Sequence, residues 1–535
     1  MGSAIHGTEG TLLALVILVA LLAAFAQRLK TPYPIVLVLG GLVLSFFPRV
    51  PHVSLNPAFV FLVVLPPLLF ASSLNTAWRE FRYNLVSISM LGIGLVAFTV
   101  AGVAVVSRFF IPDFDWRVGA VLGAVLSTTD AIAVSAIARR VGLPHQELSV
   151  IEGESLANDA TGLLALQFTT ALVVTGETPS LWQGVTQFLW LILAGIGAGL
   201  LIGALVNWFD RSIRDTALQL MVGVATPYFA YLLGESLRAS GVLATVACGL
   251  YLGRKRSESF TTEARLDSRA VWNTIDFALN SLIFIVVGLQ LPAVLDGMRP
   301  LRWSMLIGGA AFICAVVIGL RMLWMFPGAR ISYFIRRRIL HQDFRMPRPR
   351  ELFAIVWSGL RGVLTLAAAL SLPEQTDSGA PFPHRAAIIF LAYSVILVTL
   401  VGQGLSLPWL LRRLGISGDS NEAEERAARR VLLEAALRAL KGMPAPEDET
   451  EAQATDLLKR YYRQRLQGVV AGESNGNTAN LDRIYHDLYA RLRLVERQQI
   501  AALRTQGRFQ ESILQELEKE LDLTDLRWSG TSLGN

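Results

Sequence analysis

The chain has 535 residues, of which 53% are hydrophobic and 17% charged. A soluble domain carries about 25% charged residues, so most of this length is not a soluble enzyme or binding module, and the composition predicts a polytopic membrane protein. The net charge of +6 comes from arginines between apolar runs and near the C-terminal end, which points to membrane topology and not to nucleic-acid binding.

In chain order, apolar runs predict spans at 11–27, 33–47, 57–74, 84–106, 116–138, 148–174, 181–209, 216–237, 241–252, 270–294, 305–326, 352–372 and 386–407. That is about 13 helices, most of them near the 17–25 residues a bilayer requires. No lysine or arginine precedes the first run, and a second run follows it closely, so a retained span is expected and not a cleaved leader. The ninth run is short and reads as half of a longer element. Connections on one side carry roughly 20 basic residues, among them Arg28, Arg79, Arg139, Arg211, Lys255 and Arg336, against 7 on the other. This bias places the N-terminus outside and the C-terminus in the cytoplasm, in the cell's inner (plasma) membrane.

Residues 1–414 therefore form a transmembrane domain and 415–535 a cytoplasmic helical domain. In the second part, helical patterns cover 421–440 and a stretch ending near 467. A Gly/Ser/Asn-rich linker at 468–478 precedes further helical spacing through Leu481, Ile484, Leu488, Leu492 and Val495, and then Ile513, Leu514 and Leu517. The readings are a solvated appendage, or a regulatory or dimer-contacting tail.

The sixth span holds the sequence EGESLANDATG, with Glu154, Ser155, Asn158 and Asp159 inside an apolar run. A charge at bilayer depth costs roughly 3 kcal/mol or more. Glu154 and Asn158 are four apart, as are Ser155 and Asp159, so one helix presents a polar stripe. Two readings stand: groups that hold a helix bundle together, or a cation or proton site. The fifth span, STTDAIAV, places Asp130 after Ser127, Thr128 and Thr129, good caps for a helix that restarts there. The twelfth span, WSGLRGVLTLAAALSLP, brackets Arg361 with Gly359 and Gly362, a spacing that permits an unwound segment. Spans five and twelve run in opposite directions, as an inverted repeat of spans one to six against eight to thirteen requires. A buried arginine needs an acid. Glu154 is the first candidate for Arg361, the alternative being an unpaired Arg361 facing a water-filled vestibule. Asp276 and Arg321 form a second candidate pair, structural in character.

Other classes fit less well. The six histidines lie in loops, termini or tail, no HExxH occurs, and Cys248 and Cys314 sit in apolar runs, which leaves an enzyme without a metal or nucleophile constellation. A channel wants a polar lane, whereas these acids converge on one depth.

EGESLANDATG, STTDAIAV and WSGLRGVLTLAAALSLP, together with LPPLLFASSL and LIFIVVGLQL, resemble the cation–proton antiporter family, in its branch of NhaP-type bacterial and animal sodium/proton exchangers, over roughly residues 10–410. The resemblance implies a homodimer of two inverted six-helix repeats, with the broken spans five and twelve crossing and alternating access to one site. It implies Asp159 as the essential carboxylate, joined by Asp130, Ser155 and Thr129 as Na+ ligands. Asn158 lies nearby, and Glu154–Arg361 is the structural ion pair. No cofactor is implied. The substrates are protons and a monovalent cation (Na+ or Li+), exchanged electroneutrally because Asn158 precedes the aspartate, in the service of pH and sodium homeostasis. A K+/H+ exchanger of the same fold is the alternative. One departure stands out: many relatives carry an acid shortly after Pro66-Pro67, where this chain has Ala71, Ser72 and Ser73, so either Ser72 or Ser73 takes its part or the site is looser, which leaves the ion preference open.

Overall fold

The computed structural model describes residues 2–29, 31–47, 56–110, 114–141, 143, 145–176, 181–213, 215–259, 262–298, 303–416, 419–442, 449–471 and scattered positions between 492 and 521. The described part is helical, and the chain divides into two compact units, Met1–Ser417 and Gly418–Asn535.

The first unit runs α1 (Gly2–Arg28), α2 (Tyr33–Leu44), α3 (Pro57–Asn75), α4 (Trp78–Arg108), α5 (Trp116–Val125), α6 (Ala131–Val141), α7 (His145–Val174) and α8 (Leu181–Ser212). It continues with α9 (Thr216–Ser236), α10 (Gly241–Ser259), α11 (Ala264–Asp296), α12 (Ser304–Ile339), α13 (Pro349–Trp357), α14 (Val363–Leu370) and α15 (Arg385–Leu414). Among the described residues, seven helices are long and apolar enough to cross a membrane. α7 has 30 residues but carries Glu152, Glu154 and Asp159.

Two features differ from the sequence reading. The short ninth run is a whole helix, because Arg254, Lys255 and the residues after them continue α10 to Ser259 past the apolar stretch. The eleventh span likewise continues as helix through Arg336 to Ile339. There the Arg336 guanidinium is buried over the rings of Phe344 (3.5 Å) and Tyr83 (4.3 Å) and donates to Ser87 Oγ at 3.1 Å. This stacking anchors the connection that leads into α13.

Pro66 and Pro67 interrupt the hydrogen-bond ladder of α3, which widens over Val60–Val64. The Val63 carbonyl that Pro67 cannot serve accepts instead from the Tyr228 hydroxyl of α9 at 3.1 Å. The main apolar core gathers α2, α5, α6, α11, α13, α14 and α15 through residues such as Ile35, Val121, Ile137, Phe284, Leu366 and Tyr393. A smaller cluster joins α3, α9, α10 and α11 through Phe70, Ala230, Cys248 and Trp272.

The second unit contains α16 (Asp419–Gly442) and α17 (Glu449–Ala471), which pack on each other. α17 runs into the stretch expected to be a linker. The helical spacing expected through 481–495 and 513–517 falls mostly outside the described residues.

Candidate functional site

Two helices are broken where the sequence placed its caps and glycines, between α5 and α6 at 126–130 and between α13 and α14 at 358–362. Breaking a helix frees backbone groups that must be paired inside the protein, and the pairing builds the site. Ser127 turns back on its own helix, with its hydroxyl donating to Ala124 O at 2.7 Å. The cap of α6 is Asp130 itself: its Oδ1 accepts from the amides of Ile132 (2.8 Å) and Ala133 (3.4 Å). The Asp130 amide donates to the carbonyl of Leu360 at 2.8 Å, and the Thr128 and Thr365 hydroxyls meet at 2.9 Å. The two unwound segments are thus pinned directly to one another. Gly362 lies so close to Asp130 that a Cβ there would collide with Oδ2.

α7 crosses behind this knot. The Ser155 hydroxyl donates to Thr129 O at 2.6 Å and accepts from the Ala131 amide at 3.1 Å. Asn158 accepts the Thr129 amide through Oδ1 (3.3 Å) and donates Nδ2 to Thr129 Oγ1 (2.6 Å). One turn of α7 therefore holds both polar ends of the 129–131 segment. Asp159, the next residue, has a buried Oδ1 without a hydrogen-bond partner, and its carboxylate lies within reach of the Asp130 charge. Five of the anticipated residues, Asp159, Asp130, Ser155, Thr129 and Asn158, come together.

The expected ion pairs are corrected. Glu154 pairs with Arg321 of α12, not with Arg361: both carboxylate oxygens accept from the guanidinium, Oε2 at 2.9 Å. The same guanidinium donates to the carbonyls of Val356 and Ile355, each at 3.1 Å. Both carbonyls belong to the last turn of α13, which stops at Trp357, and they also accept from the Ser358 hydroxyl (Ile355 O, 2.9 Å) and the Gly359 amide (Val356 O, 3.2 Å), so Arg321 serves an acid and a helix end together. Gly359 leaves the space for it, since a Cβ there would strike Arg321 Nε. Arg361, 2% exposed, donates Nη1 to Gly359 O at 3.1 Å and its amide to Thr399 Oγ1 at 3.1 Å, while its Nε has no partner. Its charge lies within range of both Arg321 and Glu154.

Asp276 does not pair with Arg321. Its Oδ1 accepts from Asn280 of the same helix at 3.0 Å, and its charge reaches Asp130. Ser73 is buried against Gly249 of α10 with its hydroxyl on Phe70 O at 3.0 Å. The Ser72 carbonyl accepts the Thr76 hydroxyl at 2.9 Å. Thr365 and Thr399, which tie the second break, escaped the sequence reading because a lone threonine in an apolar helix normally bonds its own preceding turn.

The sequence profile described as sodium/hydrogen exchanger, transmembrane, matches residues 14–413. An uncharacterized Na+/H+ exchanger of Mycobacterium bovis is 35% identical over 97% of both chains. A sodium, potassium, lithium and rubidium/H+ antiporter of Bacillus subtilis is 32% identical over 82% of this chain and 66% of its own. Among solved structures, the sodium proton antiporter MjNhaP1 of Methanocaldococcus jannaschii at pH 8 aligns with a TM-score of 0.59, covering 77% of this chain and 99% of that chain at 17% identity, a likeness of fold.

Proposed function

The chain belongs to the sodium/hydrogen exchanger family, and from that premise we propose that it exchanges a monovalent cation, sodium or lithium, for protons across the membrane. The observation that carries this reading is Asp159: a carboxylate with one buried, partnerless oxygen beside a second carboxylate, at the crossing of two broken helices. Such an oxygen is satisfied either by a proton or by a cation. The groups gathered around it, Asp159, Asp130, the Ser155 hydroxyl and the carbonyl of Thr129, are all oxygen donors, the chemistry suited to a hard cation. Proton and cation then compete for one pair of carboxylates that titrates as a unit. Exchange follows when the empty, charged site does not cross the membrane. Asn158, a neutral amide engaged with Thr129, adds no charge, in keeping with an electroneutral cycle.

The same reading includes the finer architecture: 13 spans in two inverted repeats, a homodimer with a moving core that alternates access, an outer N-terminus and a cytoplasmic C-terminal domain. The Glu154–Arg321 pair serves as the rigid brace of the core.

The deciding experiment is pH-gradient-driven uptake in proteoliposomes with sodium, lithium and potassium in turn. Uptake of sodium or lithium by the wild-type protein, and its loss in a folded Asp159→Asn variant, is the expected result. Robust sodium uptake by that variant would end the proposal. A potassium/proton exchanger is the second reading. It is favoured by the Bacillus relative's name, which includes potassium. Potassium uptake matching that of sodium would establish it.

A further inference from the structure

The hydrogen-bond ladder of α4 widens over Met90–Leu95, and two carbonyls of that stretch accept from neighbouring helices. Met90 O accepts from the indole of Trp324 in α12 at 3.0 Å, and Gly92 O accepts from the hydroxyl of Thr161 in α7. A threonine inside a helix ordinarily turns its hydroxyl to its own preceding turn. Thr161 keeps that contact, with Ala157 O at 3.0 Å, and shares its one hydrogen with α4. Two glycines let the helices close up. A Cβ at Gly92 would strike the Ala157 methyl, and one at Gly94 would strike the Trp324 ring.

Ala157 and Thr161 stand two residues before and two residues after Asp159. At about 100° per residue, each lies about 160° around the helix from Asp159. Both therefore occupy the side of α7 opposite the carboxylate, and Gly92 is the wall behind it. The same turn of α7 reaches the unwound segment through Ser155 and Asn158. On α12, Arg321 and Trp324 are three apart and share a face. Arg321 holds Glu154 of α7, and Trp324 holds the widened stretch of α4. The three helices thus form a closed frame around the turn that carries Asp159.

We propose that this wall, Gly92 with Thr161, positions Asp159 against Asp130 and so sets the size of the cation accepted between them. Thr161 acts as a positioning residue, from behind, and does not touch the ion. The inference rests on the transport reading above and adds to it a determinant of selectivity. Discrimination between hard cations follows cavity size and the rigidity of the ligands, and a back wall governs both. Releasing the Thr161 bond frees the turn to draw back, whereas a methyl group on Gly92 pushes Ala157, and with it Asp159, forward.

The test measures KM and maximal rate for lithium, sodium and potassium in proteoliposomes, beside melting curves in detergent. Thr161→Val keeps the shape and removes the donor. It is expected to raise KM for sodium about threefold or more, with a smaller change in maximal rate, and to move preference towards the larger potassium ion. Thr161→Ser keeps the hydroxyl and is expected to recover most of the affinity. Gly92→Ala is expected to move preference the opposite way, towards lithium. Opposed shifts are not what general loosening of the fold produces, and either variant decides alone if the other fails to fold. A folded Thr161→Val or Gly92→Ala protein with unchanged KM values and ion preference overturns the inference, as does a Thr161→Ser protein no better than Thr161→Val. Absence of exchange by the wild-type protein would fell the transport reading as well, whereas wild-type exchange with unmoved variants overturns this inference alone.

Discussion

Arg321 grips Glu154 through both nitrogens of its fork while donating to two carbonyls in the last turn of α13. One side chain thereby joins the middle of α7, the helix that carries Asp159, to the lip of the second break. Removing one partner of a buried ion pair strands the other charge at a cost of about 3–5 kcal/mol. Arg321→Ala and Glu154→Gln are each expected to lower thermal and denaturant stability strongly. The double variant Glu154→Leu/Arg321→Met should be less destabilised than either single change, though short of wild type because the Ile355 and Val356 carbonyls each lose one of two donors. Arg361→Ala should cost less than Arg321→Ala, since its side chain serves a single carbonyl in the structure. Melting curves of the four variants beside wild type in detergent check the order, and Arg361→Ala emerging as the most damaging would refute it.

The misassigned pair shows where sequence reading stops. Two buried arginines, Arg321 and Arg361, and two acids, the buried Glu154 and the half-buried Asp276, admit two pairings, and helical spacing does not say which helices touch. The decisive clue was Gly359, read only as a point of unwinding, whereas its missing side chain makes room for Arg321. By contrast, the two breaks were legible because they depend on local chemistry: Ser/Thr/Asp before a restarting helix, and glycines around Arg361. The cap itself moved from the Ser-Thr-Thr run to Asp130, since only its carboxylate reaches the second and third amides of α6. The convergence of Asp159, Asp130, Ser155, Thr129 and Asn158 was anticipated through resemblance and motif, whereas Thr365 and Thr399 are visible only once the breaks are crossed.

Gly362 sets how closely the two breaks approach. A methyl group at this position would meet Asp130 Oδ2 and its Cβ, and misplacing a functional group by about 1 Å is enough to cost on the order of a hundredfold in rate. Gly362→Ala is expected to cut sodium-driven exchange at least tenfold while changing Tm far less than Arg321→Ala does. Initial uptake rates beside melting curves decide it, and unaltered uptake would mean that Asp130 tolerates displacement.

Ser155 carries two bonds to the unwound segment, one donated to Thr129 O and one accepted from the Ala131 amide. Ser155→Ala leaves both backbone groups unpaired in a dry setting, worth about 1–3 kcal/mol. Because Thr129 is held next to Asp159 by the same turn of α7, the effect should fall mainly on sodium affinity. The expected outcome is a raised KM for sodium with a smaller change in maximal rate, and Ser155→Thr should recover part of the affinity. A pure loss of maximal rate at unchanged KM would contradict this assignment.

Glu147, at the start of α7 and ahead of its apolar stretch, gives a pH prediction. Burial first, and the neighbouring Glu351 second, push its carboxyl above the ordinary carboxylate range, and its Oε2 is buried without a partner. Val134, Leu143, Ile355 and Leu407 wall the small cavity beside it. A carboxyl raised in the folded state binds its proton more tightly there than in the unfolded chain, so stability falls as pH rises from the ordinary carboxylate pKa through the raised one. Below that window both states are protonated and nothing is lost; above it the loss is complete. Glu147→Gln keeps the shape without the charge and removes this term. The variant is expected to match wild type in acid, to exceed it in Tm near neutral pH, and to show a flatter profile between. Melting curves across that range test the sign directly: a variant that is less stable than wild type at neutral pH would mean that the ionised carboxylate has a partner that offsets its burial.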